Sequence, residues 1–276
     1  MKIKLSDTFL NCELYSEKKI QANDILLFHG FTGSARDWDF LIPSLIKDYN
    51  VFALDFLGHG SSECPDNPEL YTFDSINSRL DELISKIIGQ KPVILGYSMG
   101  GRIALSYAVK HPDKINGLII ESATWGIKES DLRKDRVESD QKTAEFILSN
   151  DIEIFVDYWM NKNIFESQKR LSGDLLEKIK VQKKRNNKTG LANSLLGSGT
   201  GSMPPLHDTI NKIKVPVLFI TGELDEKFSQ INSEMVKCLD NAKHLIIRDT
   251  GHNVHLEKPG KFINVITDFL KNINFS

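Results

Sequence analysis

The sequence predicts an α/β protein: a mostly parallel central sheet with helices on both faces and an inserted helical cap. Three observations predict it. Six short apolar runs are continuous rather than alternating: ILLFHG (25–30), VFALDF (51–56), PVILGYS (92–98), GLIIES (117–122), PVLFITG (216–222) and HLIIRDTG (244–251). Such runs suit strands covered on both faces. Helical periodicity fills the gaps between them, and strand alternating with helix gives a parallel sheet. Residues 124–208 then interrupt the alternation with a charged, helix-patterned stretch.

In chain order, KIKLSD and NCELYS are short enough to form an antiparallel hairpin at one sheet edge. A helix is expected over 38–48 around Trp38, Leu41, Leu45 and Ile46. A second is expected over 73–88, with Phe73, Ile76, Leu80, Leu83, Ile84 and Ile87 on one stripe, and a third over 100–110. Within 124–208, DIEIFVDYWMNKNIF (151–165) is amphipathic and aromatic. The basic run EKIKVQKKRNNK (177–188) reads as a solvated helix face. The last helix, 259–272, follows Pro259, which suits a first helical turn. The chain is therefore expected to be one domain, 1–276, with the cap inserted at about 124–208.

Composition removes several function classes. The chain has 276 residues, 40% apolar and 26% charged, with a net charge of −2. That balance gives no electrostatic case for nucleic acid or an anionic membrane. The start, MKIKLSDTFLNCEL, lacks a signal-length apolar core, and no run of about 18 apolar residues occurs. Cys12, Cys64 and Cys238 are far apart and odd in number, with neither metal spacing nor a disulfide framework. The expectation is a cytoplasmic protein without cofactor, metal, nucleic-acid partner or membrane insertion. A monomer is expected.

The chemistry gathers at the strand ends. Gly96-Tyr97-Ser98-Met99-Gly100 joins a strand to a helix, and its glycines permit the strained turn that exposes a serine nucleophile. Asp225 follows the strand PVLFITG, and His252 lies in a glycine-containing loop after the last strand, completing the order serine, acid, histidine. Glu223 and Asp249 are poorer acids, one earlier in its turn and one too near the histidine. His255 lacks the preceding glycine. HGF (29–31) resembles a loop that donates a backbone N–H to an oxyanion, so the donors would be the N–H groups of Phe31 and Met99. His29 is expected to order that loop. The Gly-rich turn DFLGHGSS (55–62) lacks the dinucleotide fingerprint, and there is no Walker A motif.

Arg102 adds what the serine turn does not. It follows Ser98 by four residues, so the two share a helix face, and its planar fork suits a carboxylate. An anionic substrate is expected.

These features resemble the α/β-hydrolase fold over about residues 23–272. GYSMGGR (96–102), GELDEKF (222–228), TGHNVHLE (250–257) and SGTGSMPPL (198–206) together resemble a narrower family. It is the 2-succinyl-6-hydroxy-2,4-cyclohexadiene-1-carboxylate synthases of menaquinone biosynthesis, the MenH type. IESATWGIKESDLRKDR (120–136) fits that family's segment with an arginine at Arg136, and Trp159 matches a pocket tryptophan in the cap. The resemblance implies a lyase that removes pyruvate from an enolpyruvyl-bearing cyclohexene polycarboxylate, with Ser98 as base. It also implies a pocket containing Arg102, Arg136 and a third basic group at Lys183, where the family usually has arginine; Arg185 is an alternative. His207 and Leu196 depart from a common tryptophan and arginine. Tyr97 is expected to wall the pocket. The competing readings are a hydrolase of an anionic ester, thioester or carbon–carbon bond, and a non-catalytic receptor or scaffold.

Overall fold

The computed structural model describes residues 1–15 and 17–273. Ser16, the last residue of the expected hairpin, and 274–276, the end of the expected domain, lie outside the described residues.

Eight strands form one sheet in the order β1-β2-β4-β3-β5-β6-β7-β8. β1 (Lys2–Lys4) and β2 (Phe9–Leu14) are the expected antiparallel hairpin, and β2 pairs antiparallel with β4. The rest of the sheet is parallel: β3 (Asn23–Phe28), β4 (Tyr49–Leu54), β5 (Val93–Tyr97), β6 (Gly117–Glu121), β7 (Val217–Gly222) and β8 (Ala242–Ile247). β5 and β6 are buried along their whole length, as their uninterrupted apolar runs require. Two apolar clusters cover the two faces: one includes Phe28, Phe52 and Ile94, the other Leu27, Ala53 and Leu95. These alternate along the same strands, as successive side chains must.

Three expectations need correction. The helix over 38–48 is a 3₁₀ turn at Ala35–Trp38 followed by the single-turn α1 (Ile42–Leu45). Pro43, lacking an N–H, fits only a first turn, so it starts a helix rather than lying within one. β8 starts two residues before the expected run and ends at Ile247. It is the sheet edge, so Leu245 and Ile246 are exposed rather than covered. The basic run 177–188 is not one solvated face: α6 (Gly173–Lys183) ends within it, Asn186 is buried, and α7 (Lys188–Ser198) begins at its end.

Two helices flank the centre of the sheet. α2 (Phe73–Leu83) is capped by Thr72, whose hydroxyl accepts from the Ser75 N–H, and it continues as a wider turn to Ile88. α3 (Met99–Lys110) leaves β5 directly. Between β6 and β7 lie α4 (Ser130–Ser149), α5 (Ile152–Met160), a 3₁₀ stretch (Asn163–Arg170), α6 and α7. They enclose a separate small core of Ala144, Ile147, Phe155, Val156, Leu191, Ala192 and Leu195. Phe31, from the loop after β3, packs against both this core and the sheet core, so the cap rests on the strand ends. α8 (Glu226–Lys237), the single-turn α9 (Val254–Glu257) and α10 (Pro259–Lys271) complete the chain.

Candidate active site

Ser98 is held in a backbone conformation that residues with a side chain avoid, φ 50° and ψ −103°. Its N–H donates to the Glu121 carbonyl at 2.8 Å, and its carbonyl accepts from the Arg102 N–H at 3.0 Å. The turn is tight enough that a Cβ on Gly96 would lie 2.5 Å from the Gly100 carbonyl carbon. One on Gly100 would lie 2.4 Å from the Phe28 carbonyl oxygen. Both glycines are therefore required by the close approach of strand and helix.

The side chains of Ser98, His252 and Asp225 meet. His252 Nε2 lies 3.0 Å from Ser98 Oγ, and Nδ1 lies 2.7 Å from Asp225 Oδ2. His252 and Asp225 are buried. Phe228, Tyr97 and Phe165 surround the imidazole, with ring centroids at 4.6, 5.5 and 6.2 Å. With Nδ1–H donating to the carboxylate, Nε2 is left as an acceptor for the serine proton. The rival groups are engaged elsewhere: Glu223 accepts the Asp249 N–H, Asp249 pairs with Arg170 and Lys258, and His255 pairs with Glu121.

The loop after β3 is ordered by His29. Its Nε2 accepts the Phe56 N–H at 3.1 Å, which places the ring proton on Nδ1, 2.7 Å from the Gly30 carbonyl oxygen. The Gly33 N–H donates to the same oxygen at 3.0 Å. Burial holds the His29 pKa below its ordinary value, keeping the ring neutral and that tautomer in place. Because a trans peptide sets its C=O and N–H in opposite directions, pinning the Gly30 oxygen turns the Phe31 N–H the other way. That N–H makes no hydrogen bond among the described residues. Met99 opens α3, so its N–H has no intrahelical acceptor.

Ser98 and His252 open onto a cavity of about 1030 Å³ between the sheet and the cap. Arg102 reaches it from α3, buried, with Nη1 donating to the Ser198 carbonyl at 2.6 Å. Burial, and then the charge of Arg136, lower its pKa to about 10, against the opposing pull of Asp140. The guanidinium is thus charged at neutral pH yet poorly solvated, a state that favours an incoming carboxylate. Arg136, from α4, also lines the cavity. Its Nε donates to Asp140 Oδ1 at 2.8 Å, while Asp140 Oδ2 accepts the Gly201 N–H at 3.2 Å. Trp159 also lines the cavity, edge-to-face with Phe31 at 5.0 Å.

Other expected pocket residues lie elsewhere. Tyr97 does not wall this cavity. Adjacent residues leave a strand on opposite faces, and Tyr97 packs into the core on the far side of the sheet, with its ring edge against His255 at 4.9 Å. It lines a second cavity of about 290 Å³, together with Gly30 and Phe31 of the loop after β3. Lys183 lines that second cavity too, not the one at Ser98. Its Nζ donates to Thr32 Oγ1 at 2.9 Å, and burial lowers its pKa. Arg185 is exposed, in a surface cleft with Arg36 and Asp174, and Leu196 is exposed. His207 packs on Trp125, with centroids 4.1 Å apart, off the Ser98 cavity. Lys162, Lys169, Arg170 and Lys227 line the mouth of that cavity, which the sequence reading did not single out. Among the described residues no group of three His, Cys, Asp or Glu could hold a metal, and no helix is long and apolar enough to cross a membrane.

A serine–histidine–carboxylate relay at the ends of a parallel sheet, under an inserted helical cap, defines an α/β-hydrolase-fold enzyme. The family model described as alpha/beta hydrolase fold matches residues 24–259. Within that fold the chain belongs to the MenH-type family of 2-succinyl-6-hydroxy-2,4-cyclohexadiene-1-carboxylate synthases. It is 42% identical to the putative synthase of Bacillus subtilis (strain 168), over 90% of each chain. It is 31% identical to the synthase of Enterobacter sp. (strain 638), over 90% of this chain and 91% of that one. The solved structure of MenH from S. aureus superimposes with a TM-score of 0.90 at 33% identity, covering 94% of this chain and 97% of that one.

Proposed function

We propose that this chain eliminates pyruvate from 2-succinyl-5-enolpyruvyl-6-hydroxy-3-cyclohexene-1-carboxylate, giving 2-succinyl-6-hydroxy-2,4-cyclohexadiene-1-carboxylate in menaquinone biosynthesis. The observation that carries this reading is one cavity holding both the Ser98–His252 pair and the buried guanidinium of Arg102. A serine that hydrolyses an uncharged ester needs no such cation, whereas a substrate with several carboxylates does.

In this reading Ser98 Oγ, passing its proton to His252 Nε2, removes the ring proton next to the succinyl carbonyl. Asp225 keeps the imidazole in the accepting tautomer and stabilises the imidazolium that forms. The electron pair left behind moves onto the carbonyl oxygen, where the Phe31 and Met99 N–H groups stabilise it. Its return through the ring double bond breaks the ring-carbon-to-oxygen bond, and the enolpyruvyl group leaves and becomes pyruvate on protonation. Arg102 and Arg136 hold carboxylates. Trp159 supplies an apolar wall for the ring. No cofactor enters these steps. Lys183 and Tyr97 act from behind the oxyanion loop, Lys183 through Thr32 and Tyr97 as packing under His252. We read the chain as one hydrolase domain with the cap inserted at about 124–208, and as a cytoplasmic protein.

The 3.0 and 2.7 Å contacts of the relay also suit hydrolysis of an anionic ester or thioester through an acyl-serine. Pyruvate release from the enolpyruvyl substrate, lost in Ser98→Ala, supports the lyase. An acyl burst on a chromogenic ester, with turnover and no pyruvate release, supports the hydrolase.

A further inference from the structure

A second carboxylate–histidine pair lies directly behind the first. Glu121, the last residue of β6, is fully buried. Its Oε2 lies 2.6 Å from His255 Nδ1, and its Oε1 accepts the His255 backbone N–H at 2.9 Å. That N–H belongs to the single turn α9, where it has no intrahelical acceptor. Trp38, Tyr97, Phe40 and Phe262 enclose the His255 ring, with centroids 4.8 to 5.7 Å away. Neither Glu121 nor His255 lines the Ser98 cavity, so neither can touch substrate there.

The main chain of Glu121 holds the other half of the relay. Its carbonyl accepts the Ser98 N–H at 2.8 Å, one residue beyond the parallel pairing of Tyr97 with Glu121. One residue therefore grips two segments that are far apart in the chain. Its carbonyl fixes the strained serine turn, and its carboxylate fixes the start of α9, three residues after His252. The 3.0 Å Ser98–His252 contact spans these two segments.

We propose that Glu121, through His255, is a positioning residue that sets the separation of Ser98 and His252. Without the carboxylate the serine turn keeps its carbonyl acceptor, but the histidine loop loses its anchor to β6. The substrate cations Arg102 and Arg136 stand on α3 and α4 and are untouched. The loss should therefore appear in the proton-transfer step rather than in binding, because such transfer depends steeply on donor–acceptor geometry. This inference rests on the proposed lyase reading.

The test is steady-state pyruvate release by wild type, Glu121→Ala and Glu121→Gln, with the thermal midpoint of each. We expect kcat of the alanine variant to fall by about tenfold to a hundredfold, with KM within about threefold of wild type. Glutamine can accept from the His255 N–H and donate to Nδ1 of the other neutral tautomer, so it should restore kcat to within about threefold of wild type. Should the alanine variant not fold, Glu121→Asp retracts the carboxylate while keeping its charge, and should lower kcat about tenfold at constant KM. A folded alanine or aspartate variant with wild-type kcat and only a lower midpoint makes the pair purely structural and overturns the proposal. Wild-type protein that releases no pyruvate defeats the lyase reading instead, so the two failures are distinct.

Discussion

The Arg102 guanidinium donates to the Ser198 carbonyl at 2.6 Å, across 96 residues of chain, joining the serine helix α3 to the C-terminus of α7 in the cap. This contact places a buried cation beside the reacting serine. Burial lowers its pKa to about 10, so keeping it charged opposes folding by an energy on the order of a few kcal/mol. A depressed pKa on a base means that the folded state resists the proton. The cost is constant below the folded pKa and is relieved only as pH rises above about 10.

Arg102→Met should therefore separate function from stability. Its kcat/KM for pyruvate release should fall by roughly 2–3 kcal/mol, about 30- to 150-fold. Its thermal midpoint at neutral pH should equal or exceed that of wild type, because an apolar side chain relieves the desolvation. Steady-state kinetics and calorimetry on the same preparation check both. A large loss of midpoint with unchanged kcat/KM would make Arg102 structural.

Asp140 restrains Arg136 and the Gly201 N–H together. Asp140→Ala should raise KM by about tenfold through a mobile Arg136, and should lower stability by about 1–3 kcal/mol by stranding a buried donor. Urea denaturation and substrate titration report the two effects independently.

His29 aims the Gly30–Phe31 peptide without touching the cavity. His29→Ala should cost about a hundredfold in kcat, comparable to removing one oxyanion donor, with KM within about threefold. A kcat near that of wild type would show that the Gly33 N–H alone suffices to hold the peptide.

Burial lowers the pKa of both His29 and His59 from 6.5. Well above pH 6.5 both are neutral, folded or unfolded. As pH falls below 6.5 the unfolded chain takes up protons that the folded chain refuses, so stability falls until the folded pKa values are reached. Each histidine contributes a slope of up to about 1.4 kcal/mol per pH unit. Denaturant melts at pH 7.5 and 5.5 should show this loss, and His59→Leu should show a smaller one.

The sheet was legible because each central strand is a continuous apolar run, and the relay because Ser98, Asp225 and His252 each follow one. Tyr97 is adjacent to Ser98 in sequence, yet alternation along β5 sends its ring into the core on the opposite face. The break in 38–48 was legible in principle from Pro43. The cap wiring was not. Lys183 to Thr32 spans 151 residues and Asp140 to Gly201 spans 61, and neither pairing leaves a local pattern. Glu121 lies in the family-like segment 120–136 and His255 stands beside the relay histidine, but no local pattern links them; only the parallel register that brings β6 behind the serine turn makes them a pair.

The most direct test is pyruvate release by purified protein supplied with 2-succinyl-5-enolpyruvyl-6-hydroxy-3-cyclohexene-1-carboxylate, followed beside Ser98→Ala. The account predicts stoichiometric pyruvate and the conjugated diene product from wild type, and a loss of at least about a thousandfold in kcat in the variant. Pyruvate release that persists in Ser98→Ala, or a wild-type protein that hydrolyses esters while leaving this substrate intact, would contradict it.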